Sequence, residues 1–443
     1  MFCLHLDEEE RVRSSVVASV AWFVLLSCFM AAPATAEDAR PNAGGLNHPD
    51  DPQNLLGHIR QRSTQRDSLF PVSPLGWLHD SATQAKQDLY KATDLELGFR
   101  FVQLFQGLSE SLPGEDRRGT SAQANLVGTW ELLNKGKPTQ GQFYFDLEGR
   151  WDYGTTGPTP LGAAGLGSSI QTANGYAQYS PTFIFRNAYW HQGSPQAGWS
   201  YRLGKITPDQ TLSTSAHISP FTTFLPLAST GPFAIALPDS GYGAVGAWYI
   251  NDRATLVGLV SDANADRFDR GDIGEGDLFK AVELQFKIAP RTPKAGYSKL
   301  TLWHTDGTKD GVAINGQTGP SGWGAMGKFE QELTADGRAI GILRYGKSFD
   351  DSALYEQLAS AHFLFYDPPG PSQLQNDLIG AAFTWAKATA SGARNEGNLE
   401  VFYRFPIFPH VDTTLSYQSV FNPAFDRDND HASVYSLRIK TSF

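Results

Sequence analysis

Beyond residue 28 the chain of 443 residues has no cysteine. Cys3 and Cys28 both fall inside a segment that reads as an export signal, so the mature protein is expected to have none. Methionine is also scarce, at 3 residues, which does not suit a helical core. No basic run occurs and the formal charge is −10, which excludes the basic face a nucleic-acid groove requires. Past the export segment no apolar run reaches the roughly 18 residues a membrane-spanning helix needs. If the mature chain enters a membrane, it must do so as a closed β-barrel, because only closure satisfies every backbone polar group in lipid.

The export signal is read over residues 1–36. Arg11 and Arg13 precede the apolar run Val16 to Met30, and Ala34-Thr35-Ala36 supplies the small-residue cleavage pattern before Glu37. Asp7-Glu8-Glu9-Glu10 sits badly in a signal, which places the true start nearer Arg11. Leu25-Leu-Ser-Cys28 has a faint lipoprotein character, but the alanine site is the better cleavage point.

What the chain does have is glycine (44), phenylalanine (28), tyrosine (16) and tryptophan (10), a supply for turns and strands. Alternation of apolar and polar residues recurs from Asp94 onward. From Gln142 to Asp152, Phe143, Phe145, Leu147, Gly149 and Trp151 interleave with Tyr144, Asp146, Glu148 and Arg150. Asp94 to Gln106 sets Leu95, Leu97, Phe99, Phe101 and Phe105 against Asp94, Glu96 and Arg100. The terminal residues Ser433 to Phe443 do the same, with Tyr435, Leu437, Ile439 and Phe443 opposite Ser436, Arg438 and Lys440. Such a period of two suits a wall with lipid on one face and water on the other. Further strands centre on Val127, Phe185, Leu203, Gly246, Val257, Leu284, Thr301, Gly327, Ile342, Phe363, Ala382, Val401 and Leu415. The total is about sixteen, within the range of porin barrels.

Spacer lengths make a separate test. Gly107 to Ser121, Tyr153 to Tyr179, Thr207 to Ser240, Ala263 to Leu278 and Asp306 to Ser321 are long. The interleaved spacers Asn134 to Thr139, His191 to Ala197, Asn251 to Arg253, Ala289 to Gly296 and Thr334 to Gly337 are short. Long external loops alternating with short periplasmic turns mark an outer-membrane barrel, here residues 94–443. Toward the C-terminus Asp367 to Gln375 is long for a turn and Asp350 to Glu356 short for a loop. Residues 37–93 read as a periplasmic N-terminal segment, interrupted by prolines, in which Gly76 to Lys91 forms a short amphipathic helix through Leu78, Ala82, Ala85 and Leu89.

Motifs with catalytic or cofactor meaning fail on context. Gly241-Tyr-Gly243-Ala-Val-Gly246 has dinucleotide-binding spacing, yet Ala247 to Ile250 continues as strand, so no helix N-terminus receives a phosphate. Asp262-Ala-Asn264-Ala-Asp266 begins like a calcium loop, but Arg267 replaces the glycine and Ile273 the bidentate glutamate. Asp262, Asn264 and Asp266, with Asp269 and Asp272, remain weak calcium candidates in a polar external loop, and no cofactor is expected. The ten histidines form no zinc spacing and no nucleophile sits in an elbow. Asp146 and Glu148 share one strand face, the lumen face by alternation, where charge is ordinary without a glycosidase role.

Arg202-Leu-Gly-Lys205 stands before a long apolar loop, followed by Leu237-Pro-Asp-Ser-Gly241, Leu259-Val-Ser-Asp-Ala-Asn264 and Leu302-Trp-His304. Gly322-Trp-Gly324, Leu343-Arg-Tyr-Gly346, Asn376-Asp-Leu-Ile-Gly380, Glu400-Val-Phe-Tyr-Arg404 and Asn422-Pro423 continue the series. In the order and spacing of these segments the chain resembles the OprB-type carbohydrate-selective porins of Gram-negative outer membranes. One departure is Asn54-Leu-Leu-Gly57, where the family carries a Gly-Asp-Trp-Gly-Gly-type segment. The resemblance implies a sixteen-stranded barrel that admits sugars by diffusion.

Alternation assigns Tyr144, Asp146, Glu148, Arg150, Arg202, Glu283, Arg344, Glu400 and Arg404 to the lumen, and their mixed signs favour a neutral polar solute. The loop Thr207 to Ser240 carries Phe221, Phe224, Leu225, Leu227, Phe233, Ile235 and Leu237 among five prolines, too much apolar surface to leave in water, and is expected to fold into the barrel as a constriction. A general diffusion porin is the alternative, and an outer-membrane barrel enzyme or adhesin a more distant one. Expected partners are mono- or oligosaccharides, outer-membrane lipids and lipopolysaccharide, and the barrel assembly machinery, for which Phe443 ends the usual insertion signal.

Overall fold

The computed structural model describes residues 68–443 apart from 75, 155, 177–181, 269–272, 293–294, 308–318, 369–376 and 443. The export signal, most of the N-terminal segment, Asp269, Asp272 and Phe443 lie outside the described residues.

Sixteen antiparallel strands close into one barrel. They are β1 (Leu95–Leu108), β2 (Arg118–Leu133), β3 (Gly141–Asp152), β4 (Thr182–Ser194), β5 (Trp199–Ile206), β6 (Gly241–Asn251), β7 (Ala254–Asp262) and β8 (Leu278–Phe286), followed by β9 (Ser298–Thr305), β10 (Gly322–Glu332), β11 (Ala339–Ser348), β12 (Tyr355–Tyr366), β13 (Leu378–Ala388), β14 (Glu396–Phe408), β15 (Val411–Phe421) and β16 (His431–Ser442). Each strand pairs with its sequence neighbours, and β1 pairs with β16 from Arg100 opposite Ser442 to Leu108 opposite Val434. That last ladder leaves no open edge, so the wall can face hydrocarbon.

Alternation is what the two solvents demand. Leu302, Leu343, Leu399, Leu415 and Tyr435 stand exposed on the outer surface, while their neighbours Thr301, Arg344, Glu400, Ser416 and Ser436 are buried inside. Every strand expected from the sequence is present. The loop between β5 and β6 has the expected bounds, residues 207–240. Near the C-terminus the lengths are irregular but the alternation of sides holds. Residues 349–354 join β11 to β12 on the long-loop side, and residues 367–377 join β12 to β13 on the short-turn side. The latter is closed at its base by Asp367 N donating to Asp377 O at 2.9 Å.

Ahead of the barrel, helix α1 (Gly76–Thr93) lies at the short-turn rim. Tyr90 Oη donates to Glu131 Oε2 at 3.2 Å, and Trp130 Nε1 donates to the Thr93 carbonyl at 2.9 Å, both at the short-turn end of β2. The His79 ring stacks on His410 with centroids 3.4 Å apart. The side of α1 against the barrel is therefore His79, Ala82, Thr83, Lys86, Leu89 and Tyr90, each partly covered. This corrects the expected face, since Ala85 and Leu78 are exposed. The rim offers α1 ring and carboxylate partners instead of an apolar groove, and these rotate the helix away from its aliphatic stripe.

Candidate functional site

Within the barrel the space is occupied largely by the loop of residues 207–240, called L3 below. Its apolar residues have their own core inside the wall: Phe233, Ile235 and Leu237 pack with Val245, Val257, Phe279, Trp303 and Met326. Phe224 lies edge-on to Phe402 and His362, at 5.1 and 4.9 Å between centroids, and Phe221 packs with Val102, Leu104 and Tyr176. Each such side chain taken from water stabilises the inserted loop by roughly 1.5–3 kcal/mol.

The roots of L3 are tied to one residue. Thr207 Oγ1 donates to the Arg186 carbonyl at 3.0 Å, and Ser240 Oγ donates to the same oxygen. Asn187 adds a second clamp, accepting from Thr207 N at 3.0 Å and donating to Gln210 at 2.8 Å.

Farther along, wall side chains hold the loop's backbone. Arg438 donates to the carbonyls of Pro220 and Thr223, at 2.8 and 2.9 Å. Arg404 donates to Thr222 O at 3.0 Å, and Arg344 to Ser229 O and Gly231 O at 2.7 and 2.6 Å. Glu400 accepts from Leu225 N at 2.9 Å and from Ser416 Oγ at 2.6 Å. Glu283 accepts from Ser213 N and from Thr301 Oγ1, with Lys299 3.4 Å away. Four residues expected along an open lumen, Glu283, Arg344, Glu400 and Arg404, thus face inward but lie against the loop and bond to its backbone. Strand parity gives the face of a residue, not what covers that face.

A second cluster is built on β1 to β4. Arg100 donates to Asn125 Oδ1, Asn125 to Asp146 Oδ1, and Gln123 to Glu148 Oε2, at 2.9, 2.9 and 2.8 Å. Arg150 Nε stands 2.7 Å from Glu148 Oε1 as an ion pair not aligned as a hydrogen bond. Arg186 then spans the gap to the loop, with Nη1 3.9 Å from Glu148 and Nη2 3.3 Å from Asp209 of L3. At the other root of L3, Arg267 binds Asp239 at 2.6 Å. The result is a set of groups of both signs on β1 to β4 and at the two ends of L3.

Arg150 and Arg267 keep 18% of their side-chain surface exposed and Asp209 keeps 19%, so this is where charged groups meet open space, whereas Glu283 and Glu330 keep none. The Tyr144 and Tyr189 rings lie 4.7 Å apart, tilted by 35°, with the Arg202 guanidinium 5.0 Å from the Tyr189 ring centre, on the same inner wall.

Arg186, Asp209, Asp239 and Arg267 were not singled out from the sequence as lumen residues. For Arg186 the signal existed, since it alternates with the outward Phe183 and Phe185. The other three sit in loops, where alternation has nothing to say. In the acidic loop, Asp262 accepts from Asn264 N at 2.9 Å, Asn264 reaches Asp277 at 3.3 Å, and Asp266 accepts from Phe268 N at 2.7 Å. These are turn contacts, and no group of three or more metal-ligating side chains converges among the described residues.

The described part of the loop between β3 and β4 is also drawn inward. Glu396 at the start of β14 accepts from Ser168 Oγ, from Ser169 N and Oγ at 2.7 and 2.8 Å, from Ile170 N at 3.3 Å and from Ala424 N at 3.3 Å. One buried carboxylate thereby joins two loops. Glu396→Ala is expected to release the first of them: limited proteolysis of assembled protein should cut within residues 153–181 at least several-fold faster than in wild type, and equal rates would show that apolar packing alone holds it.

The comparisons agree with this architecture. The profile described as carbohydrate-selective porin, OprB family, matches residues 167–443. The high-pH structure of Pseudomonas putida OprB superposes with a TM-score of 0.64 at 14% identity, over 82% of this chain and 97% of that one. Its low-pH structure gives 0.52 at 10% identity over the same shares. No curated protein sequence matches the chain. A family profile covering the greater part of the chain, on a closed sixteen-stranded barrel with an inserted third loop, points to a channel and not an enzyme, and locates it in a Gram-negative outer membrane. This chain belongs to the OprB family of carbohydrate-selective porins.

Proposed function

We propose that the protein is a passive channel that lets small hydrophilic solutes into the periplasm with a preference for neutral sugars. The observation that carries this reading is the row of both signs, Glu148, Arg150, Arg186, Asp209, Asp239 and Arg267, set where L3 joins the wall. A neutral sugar passing it exchanges hydrogen bonds with water for carboxylate acceptors and guanidinium donors, each weak enough to release. Ions of either sign meet groups of the same sign within a few ångströms.

Within this reading the expected lumen residues divide. Arg150, with Asp146 and Glu148 behind it, serves the solute; Glu283, Arg344, Glu400 and Arg404 hold L3 and so set the aperture; Tyr144 and Arg202 form the wall toward the short-turn end. Phe221, Phe224 and Phe233 make L3 a constriction by fixing it to the wall. Outer-membrane phospholipid and lipopolysaccharide bathe the outer face, and the assembly machinery reads the terminal strand ending in Phe443. Residues 1–36 are an export signal and residues 37–93 a periplasmic segment.

Single-channel recording with sugars as blockers tests this. Replacing Asp146 and Glu148 by alanine removes the acceptors that orient Asn125, Gln123, Arg150 and Arg186. A charge-assisted hydrogen bond is worth about 1.5–3 kcal/mol before water compensates, so sugar block should weaken at least several-fold and cation preference should fall. Wild-type sugar block with altered ion selectivity would mean that the carboxylates only set the field. Flux governed by solute size alone would favour the general diffusion porin.

A further inference from the structure

The short stretch ahead of α1 is attached to the wall in a way the channel does not require. Among the described residues β13 stops pairing with β14 at Leu378 opposite Arg404, and β14 continues beyond that pair to Phe408. Leu69 N donates to Pro406 O and Phe70 N to Ile407 O, both at 3.0 Å, on that projecting end.

The side chains continue an outward surface. Tyr403 and Phe405, alternating with the exposed Leu399 and Val401, stack at 5.4 Å between centroids. A register shift between Pro406 and Phe408 then brings Phe408 opposite Val411, on the face shared with the exposed Leu415 and Tyr417. Phe70 packs on Phe408 at 5.4 Å. From there the chain exposes Leu69, Phe70, Val72, Trp77 and Leu78, with Val72 at 79% and Trp77 at 71%. Five large apolar side chains within ten residues are too many for a surface bathed only by water.

Their position is the short-turn rim of the lipid-facing belt, the level at which barrels carry aromatic girdles and at which tryptophan settles in the headgroup layer. We infer that residues 69–74 and 76–78 form an interfacial anchor, lying flat against the rim with their apolar side chains in the headgroup region of the periplasmic leaflet. The partner is the phospholipid of that leaflet. Continuity identifies the occupant: Tyr403 stacks on Phe405 at the belt's edge, and three residues on, Phe408 packs on Phe70 of the segment. Lipid at the belt's edge therefore already reaches these residues. The anchor also fixes the start of α1, whose His79 rests on His410 of the turn between β14 and β15.

The test uses the full chain with Cys3 and Cys28 replaced by serine, and an environment-sensitive fluorophore on a single introduced cysteine: Val72→Cys, Trp77→Cys, or the control Asp80→Cys, whose side chain is 87% exposed in α1. Protein is refolded into phosphatidylcholine vesicles and only the heat-modifiable, folded band is scored. Labels at 72 and 77 should be quenched at least twofold more by lipids carrying a nitroxide near the headgroup than the label at 80, and should resist iodide. Iodide quenching at 72 and 77 equal to that at 80 would place the segment in water and overturn the proposal. Shielding from both quenchers would show a protein surface covering the segment, a second copy included, and would overturn it equally.

Discussion

Deleting Ser219 to Gly231 should raise single-channel conductance at least twofold and abolish sugar block, while the barrel still assembles. The stretch contains the part of L3 that reaches across the lumen, from Phe221 beside Tyr176 to the helical turn Leu227–Thr230. Its removal takes Phe221, Phe224, Leu225 and Leu227 out of the interior, and a sixteen-stranded wall without a filling loop encloses a wide aqueous channel. The cost to the fold is limited for a definite reason. Arg438, Arg344 and Glu400 lose backbone partners, yet the same deletion admits water to them, so they are not left buried and unsatisfied. The roots survive too, because Thr207 and Ser240 keep their bonds to the Arg186 carbonyl. Heat-modifiable mobility reports assembly separately from conductance. Assembled protein with unchanged conductance would show that solutes do not pass beside L3.

The wall was legible in the sequence because its two faces meet two solvents. Phe143, Phe145 and Leu147 against Tyr144, Asp146 and Glu148 admit only one arrangement, since a slip of one residue would turn carboxylates into lipid. The apolar content of L3 was equally plain, as a loop rich in phenylalanine and leucine cannot remain in water. What could not be read was the pairing across the lumen. That Glu400 receives Leu225 N, or that Glu396 gathers Ser168, Ser169, Ile170 and Ala424, joins positions far apart in sequence through barrel closure, and no local period records it. Asp209, Asp239 and Arg267 were hidden for the same reason. α1 shows a different failure: its extent was predicted within two residues at its end, but its contact face follows His410 and Glu131, partners that exist only once the rim is built.

Arg186→Ala should turn the channel strongly cation-selective and weaken sugar block by tenfold or more, the largest single-residue effect expected on transport. In the row Arg186 bridges the wall to the loop, reaching Glu148 at 3.9 Å and Asp209 at 3.3 Å. Two unit charges 4 Å apart interact by about 4 kcal/mol at an effective dielectric constant near 20, so removing the guanidinium leaves Asp209 at the passage, and Glu148 behind it, with much of their compensation gone. Arg150 still neutralises part of Glu148, and water screens part of Asp209, which is why the shift in selectivity should be large but finite. The backbone role of Arg186 is retained by alanine, since the carbonyl that receives Thr207 and Ser240 is unchanged. Conductance of the variant should therefore stay within about twofold of wild type, by contrast with the loop deletion. Arg186→Lys separates charge from geometry: a point charge restores the ion selectivity, whereas the planar fork that reaches Glu148 and Asp209 together is lost, so sugar block should recover only in part. If Arg186→Ala alters neither reversal potential nor sugar block while conductance is unchanged, solutes do not pass the charged row and the constriction lies elsewhere along L3.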